Sequence, residues 1–177
     1  MATLRPARCY RTVERPWTRQ SRRKPRKGYV KGAPVRKIHR FNNGNRIAQE
    51  NKTFPVAFSI IAKKPAQIRS NALEACRVAT MRQLGKDVGE ENFFFKIFPF
   101  PHHVLRENPL ASGAGADRFQ TGMRKSFGKP IGTAAQVKAG QTLVTVWSIK
   151  GKDKEIKNVL RIAKAKLPTP CVIKQIV

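Results

Sequence analysis

Residues 141–167 read QTLVTVWSIKGKDKEIKNVLRIAKAKL. The first nine, Gln141–Ile149, are rich in β-branched and aromatic residues and short enough to be a strand. From about Lys152 to Lys166 the pattern changes. Ile156, Val159, Leu160, Ala163 and Leu167 recur at helical spacing, while Lys154, Lys157, Arg161 and Lys164 fall on the other face. Pro168 and Pro170 stop that helix, and Val172–Val177 offers a closing strand.

Upstream, Thr133–Val137 is a strand joined to Gln141–Ile149 across Lys138-Ala139-Gly140, a short glycine-containing hairpin connection. The Phe93–Phe100 run, interrupted by Lys96, is too short for a core helix and reads as a buried strand. Phe54–Ile61 is another. Pro65 opens a helix at its first turn, where the missing N–H costs nothing. Its buried stripe is Ile68, Leu73, Cys76, Ala79 or Thr80, and Leu84, and Gly85 or Gly89 ends it. Strands and helices mix without regular βα alternation. The sequence therefore predicts an α+β fold, a mixed sheet with two main helices packed on it.

Charge divides the chain unevenly. Of 177 residues 37 are basic and 10 acidic, a net charge of +27. Residues 1–40 alone carry +13, with Glu14 as their one acid, against +14 on the remaining 137. Pro6, Pro16, Pro25 and Pro34 punctuate that first stretch, with Gly28 and Gly32 between them. Such a segment cannot bury enough apolar surface to offset its ordering entropy, so it is expected to order against a partner. Residues 1–45 thus read as a basic extension and 46–177 as the core domain. Tyr10, Trp17 and Tyr29 lie among the arginines, where they can stack on bases or pack back on the domain.

A balance of +27 on 20 kDa points to a polyanion, because every neutralised phosphate releases condensed counterions. A membrane surface is the competing partner, and it calls for a basic amphipathic helix or a lipidation signal. No stretch approaches the ~20 apolar residues of a membrane-spanning helix. The N-terminus is Arg-rich like a transit peptide, but the basic character continues through the whole chain. Cys9, Cys76 and Cys171 are scattered and lack CxxC spacing. This argues against a zinc ribbon or disulfide framework, and leaves Cys76 and Cys171 as small buried hydrophobes.

Residues 102–132 form an internal loop of about thirty residues, a length that is usually functional or disordered. Its glycines allow close backbone approach, and Arg118, Arg124, Lys125 and Lys129 supply charge for phosphates. Enzymatic readings of this loop fail on their residues. Gly113-Ala114-Gly115 begins like a dinucleotide fingerprint, but Arg118 stands where the last glycine belongs. Gly128-Lys129 is followed by Pro130 where a phosphate-binding P-loop needs Ser or Thr. His103 and Glu107 have helical metal-ligand spacing, yet no third ligand is near and Pro109 cuts any helix short. With no pair of carboxylates for acid–base work, no catalytic residue, metal ligand or cofactor is expected.

Two blocks resemble one family. Arg5-Pro6-Ala7-Arg8-Cys9-Tyr10-Arg11 is similar to its N-terminal signature. Ala114-Gly115-Ala116-Asp117-Arg118-Phe119-Gln120-Thr121-Gly122-Met123-Arg124, followed by Phe127-Gly128-Lys129-Pro130 and Gly132-Thr133, resembles its most distinctive stretch. The family is the large-subunit ribosomal protein L-ten-e of archaea and eukaryotes, the counterpart of bacterial L-sixteen. The likeness covers essentially the whole chain, and the archaeal–eukaryotic form fits better than the bacterial one.

That resemblance implies an α+β core of hammerhead type on the large ribosomal subunit in the cytoplasm, wedged among rRNA helices beside the tRNA cleft. The implied partners are large-subunit rRNA, tRNA in the A/P-site cleft and neighbouring ribosomal proteins, with no membrane and no small-molecule substrate. The arm would contact rRNA through Arg5, Arg8, Tyr10, Arg11, Arg15, Trp17, Arg19, Arg22, Arg23, Lys24, Arg26, Lys27, Lys31, Arg36, Lys37 and Arg40. The second block would do so through Arg118, Gln120, Thr121, Arg124, Lys125 and Lys129. The loop at about His102–Asp117 would project toward the peptidyl-transferase region and the tRNA acceptor arm. Its tRNA-proximal residues would be His102, His103, Arg106, Asn108, Ser112, Gly113, Gly115 and Asp117. Two rivals remain: a free RNA-binding regulator, which needs base-reading aromatics on a sheet face, and an RNA-modifying enzyme, which needs a catalytic constellation.

Overall fold

The computed structural model describes residues 4–13, 19–20, 28–29, 32–107 and 128–176. A 3-10 turn at Ala7–Cys9 precedes two short strands, β1 (Arg19–Gln20) and β2 (Gly28–Tyr29), which pair with each other. Next come β3 (Asn42–Gly44) and the short α1 (Arg46–Glu50), capped by Asn45, whose side-chain oxygen accepts from the Ala48 N–H at 3.0 Å. The chain continues through β4 (Val56–Ala62), β5 (Ala66–Arg69), α2 (Ser70–Asp87), β6 (Phe93–Ile97) and β7 (His103–Glu107). It ends with β8 (Lys129–Val137), β9 (Thr142–Ser148), α3 (Asp153–Ala165) and β10 (Cys171–Gln175). Asn42–Gly44, counted with the basic extension by charge, is an edge strand of the core.

The α+β class stands, with strand order β10-β4-β9-β6-β3 in one sheet and β5-β8-β7 in a second. The mixed sheet does not, because every described pairing is antiparallel. The reason lies in α3, which returns the chain so that β10 runs parallel to β9. Strand β4 is inserted between the two and pairs antiparallel with both, so the parallel neighbours never share a ladder.

Two further expectations are corrected. Pro65 does not open a helix: Ala66–Arg69 is a strand whose ladder partners are Ala134–Val137 of β8. That long-range pairing overrides the local signal, and the helix begins at Ser70. Nor are β8 and β9 a hairpin. β9 has both edges filled by β4 and β6, and β8 by β5 and β7, so Lys138–Gly140 crosses from one sheet to the other. Gly140 makes the turn at φ +78°, and its N–H donates to the Ala62 carbonyl at 2.8 Å.

Alternation along the strands selects the core. Phe58 and Ile60, Phe93 and Phe95, and Val144 and Val146 put their side chains on the face that receives α2 and α3. Leu73, Cys76 and Leu84 of α2 meet Ile156, Val159, Leu160 and Ala163 of α3 there. Ile68, Ala135 and Val137 join from the small sheet, so both sheets close on one apolar centre. Burial pushes the Cys76 thiol up to about 12 and raises Cys171 as well, which leaves both unreactive. Where β3 meets β6, Gly44 sits at φ +86° with a Cβ's space already taken by the Phe93 carbonyl. Gly44→Ala is therefore expected to cost about 3 kcal/mol. Gly140→Ala, equally left-handed but facing open space, is expected to cost only about 1 kcal/mol. Urea unfolding of the two variants checks the difference.

Candidate nucleic-acid interface

Strand β5 has one edge in the small-sheet ladder and leaves the other open. That open edge holds the start of the chain by its main-chain carbonyls. The Gln67 N–H donates to the Arg11 carbonyl at 2.9 Å, and its side-chain Nε2 donates to the Tyr10 carbonyl at 3.0 Å. Arg69 Nη1 donates to the Arg5 carbonyl at 2.8 Å, and its guanidinium lies 5.6 Å from the Tyr10 ring. At the end of β7, Glu107 pairs with Arg5 and accepts from the Tyr10 hydroxyl at 3.5 Å. Tyr10 thus packs back on the domain. Burial, and then the charge of Glu107, raises its phenol above the ordinary range, and the hydrogen bond to Glu107 raises Arg5. Arg8 and Arg11 remain exposed on the pinned backbone.

A second clamp centres on Glu74 of α2. Its carboxylate accepts from Arg77 Nη2 at 2.6 Å and Nε at 3.0 Å, and from the His39 backbone N–H at 3.1 Å. Those bonds, from Arg77 first, hold the Glu74 carboxyl below its usual range. Arg77 also donates to the Asn43 side chain at 3.2 Å. With Ile38 buried, residues 36–43 lie fixed against α2 while Arg36, Lys37 and Arg40 stay exposed. Arg8, Arg11, Arg36, Lys37, Arg40 and Lys129 form no ion pair with a described acid.

The third component is the ribbon of β7 and β8, in which Glu107 stands opposite Lys129. His103–Glu107 and Lys129–Gly132, expected in the loop, are strand residues: backbone pairing extends along what composition marks as irregular. His103 is buried in β7, Arg106 is partly buried, and His102 is exposed, with its N–H donating to the Phe100 carbonyl at 3.0 Å. His103 and Glu107 share a strand face, not a helix face, and Glu107 is engaged by Arg5 and Tyr10. No group of three or more metal-ligating side chains gathers among the described residues.

Arg15, Trp17, Arg22, Arg23, Lys24, Arg26, Lys27 and Lys31 lie outside the described residues, and of Arg19 only the backbone is described. Asn108, Ser112, Gly113, Gly115, Asp117, Arg118, Gln120, Thr121, Arg124 and Lys125 lie outside them too. The clamps of Gln67, Arg69, Glu74 and Glu107 were not read from the sequence, since each joins segments far apart in the chain. Phe98 and Phe100, taken with their run as a buried strand, are 43% and 46% exposed. Phe100 stacks on Phe41 at 5.5 Å, and the Arg36 guanidinium carbon lies 4.5 Å from the Phe100 ring centroid.

A model of the family described as ribosomal protein L16p/L10e matches residues 17–174. The large ribosomal subunit protein uL16 of Archaeoglobus fulgidus is 45% identical over 170 residues, 96% of this chain and 91% of its own length. The proteins of that name from Methanococcus maripaludis and Thermoplasma acidophilum are 44% and 42% identical, each over 96% of this chain and over 92% and 90% of their own.

Because Tyr10 is docked as a neutral phenol, its contribution is complete below the ordinary value of 10.0 and is lost as pH rises through the higher folded value. Tyr10→Phe should abolish this alkaline loosening, seen as proteolysis at Arg8. Glu107→Gln should lower the phenol's titration, read by tyrosinate absorbance in a chain with two tyrosines. A Tyr10 titration indifferent to Glu107→Gln would contradict the docking.

Proposed function

The chain belongs to the ribosomal protein L16p/L10e family and is a structural constituent of the large ribosomal subunit, and we propose that it is held there mainly by phosphate contacts to rRNA. It is not an enzyme, and its place is the cytoplasmic ribosome. The supporting observation is the division between pinned and free cations. Main-chain carbonyls and two carboxylates fix residues 4–13 and 36–43, which leaves Arg8, Arg11, Arg36, Lys37 and Arg40 exposed and unpaired with any described acid. Cations on a fixed backbone lose little entropy when each bridges phosphates, and arginine can do so bidentately.

On this reading residues 1–45, apart from the edge strand Asn42–Gly44, are the rRNA-binding extension. Residues 46–177 with that strand are the α+β core with the small sheet as its hammerhead element, and the functional region is the part of 102–132 between β7 and β8. The part of His102–Asp117 that lies beyond β7 reaches toward the tRNA acceptor arm near the peptidyl-transferase centre, and Arg118–Lys125 anchors it on rRNA. The ribbon supports this, because β7 ends and β8 begins at the opposed pair Glu107 and Lys129, which makes the two strands a paired stem for the residues between them. Glycines, which allow close backbone approach, and four cations suit contact with a nucleic-acid backbone. Neighbouring ribosomal proteins complete the surroundings.

Arg124→Ala should weaken incorporation into large subunits and lower the salt dependence of binding by about one phosphate contact. Deleting residues 109–116, beyond the stem, should leave incorporation intact and impair tRNA binding by purified subunits. Unchanged tRNA binding and translation by the loop-deleted subunits would overturn the loop's role.

A further inference from the structure

We propose that Phe100 and Arg36 form a seat on which one unpaired nucleobase of the large-subunit RNA stacks, an inference that rests on the rRNA-binding reading and gives it a base contact. The Phe93–Phe100 run divides sharply. Phe93, Phe95 and Ile97 are buried in the core, whereas Phe100 leaves nearly half of its surface in water. The exposed ring is nevertheless held in place. Phe41 stacks on it with planes 17° apart, and the Phe41 carbonyl accepts from the Ile97 N–H at 2.9 Å. The Phe100 carbonyl accepts from His102, and Pro99 and Pro101 on either side are buried.

Arg36 is equally placed. Two residues on, Ile38 is buried, and the His39 N–H is bound to Glu74. The guanidinium lies over the ring and pairs with no described acid. A guanidinium held over an aromatic ring that Phe41 already backs offers its own plane to a nucleobase, with the exposed part of the ring beside it. A lone phosphate would engage Arg36 and leave the apolar ring in water. Residues 36–40 also hold Lys37 and Arg40 and no acid, so the phosphates flanking a stacked nucleotide find cations beside it. The same chemistry disfavours a basic protein surface as occupant.

The test uses large subunits containing the full chain. Ultraviolet irradiation followed by peptide mass spectrometry should find a nucleotide adduct on Phe100, absent from Phe100→Leu. That variant should bind its subunits about tenfold more weakly, the loss typical of one stacked base. Arg36→Lys keeps the charge, loses the plane and, being exposed, leaves the core untouched; it should weaken binding severalfold. Lys37→Ala should reduce the salt slope and leave the adduct in place. An unaltered affinity for both Phe100→Leu and Arg36→Lys would overturn the seat, as would an adduct joining Phe100 to another protein chain. A chain absent from large subunits would overturn the rRNA reading itself, and the seat with it.

Discussion

Ten carboxylates must arrange 37 cations, and where those carboxylates sit decides what the basic surface can do. Exposed ion pairs contribute only about 0–1 kcal/mol each, so the acids here position the chain more than they stabilise it. Glu74 and Glu107 make this plain. Their side chains are 22% and 28% exposed, and each ties part of the N-terminal region to a core element, α2 in one case and β7 in the other. Arg46–Glu50 and Lys152–Glu155 are local pairs, one within α1 and one at the start of α3. Among the described residues, Arg8, Arg11, Arg36, Lys37 and Arg40 stay exposed beside these clamps with no described acid paired to them, which suits a polyanion outside the chain.

The apolar core is indifferent to this charge. It is built from inward-facing positions of both sheets and from one stripe each on α2 and α3, with Ile156, Leu160 and Leu73 fully buried. Inserting β4 between β9 and β10 leaves β9 as the central strand of the large sheet. The small sheet then has two jobs: β5 receives the docked N-terminal segment, and β7 with β8 carries the loop stem. The same ladder that buries Ile68 and Ala135 therefore sets the spacing between the two proposed RNA-binding regions.

What could be read from sequence followed the range of the forces involved. α3 and β9 were legible because their signals are local, a helical stripe ending at Pro168 and a β-branched run between polar turns. Pro65 misled for the same reason. It is a sound local helix signal, but Ala66–Arg69 finds its partner nearly seventy residues away in β8. The link Lys138–Gly140 has the length of a hairpin, and nothing within it shows that both flanking strands already have their neighbours. The clamp on Tyr10 and the stack of Phe41, Phe100 and Arg36 were invisible, because each joins residues that only the folded chain brings together. The block Ala114–Arg124 was the reverse case, legible as a family pattern and silent about its own geometry.

The most direct measurement is sedimentation of a cell lysate through sucrose gradients at stepped salt concentrations, with the chain followed across the fractions. The expected result is stoichiometric residence in the large-subunit peak, released only at high salt with a steep logarithmic dependence on salt concentration. Recovery in light fractions at every salt concentration would contradict it, and the +27 charge would then belong to a free RNA-binding factor.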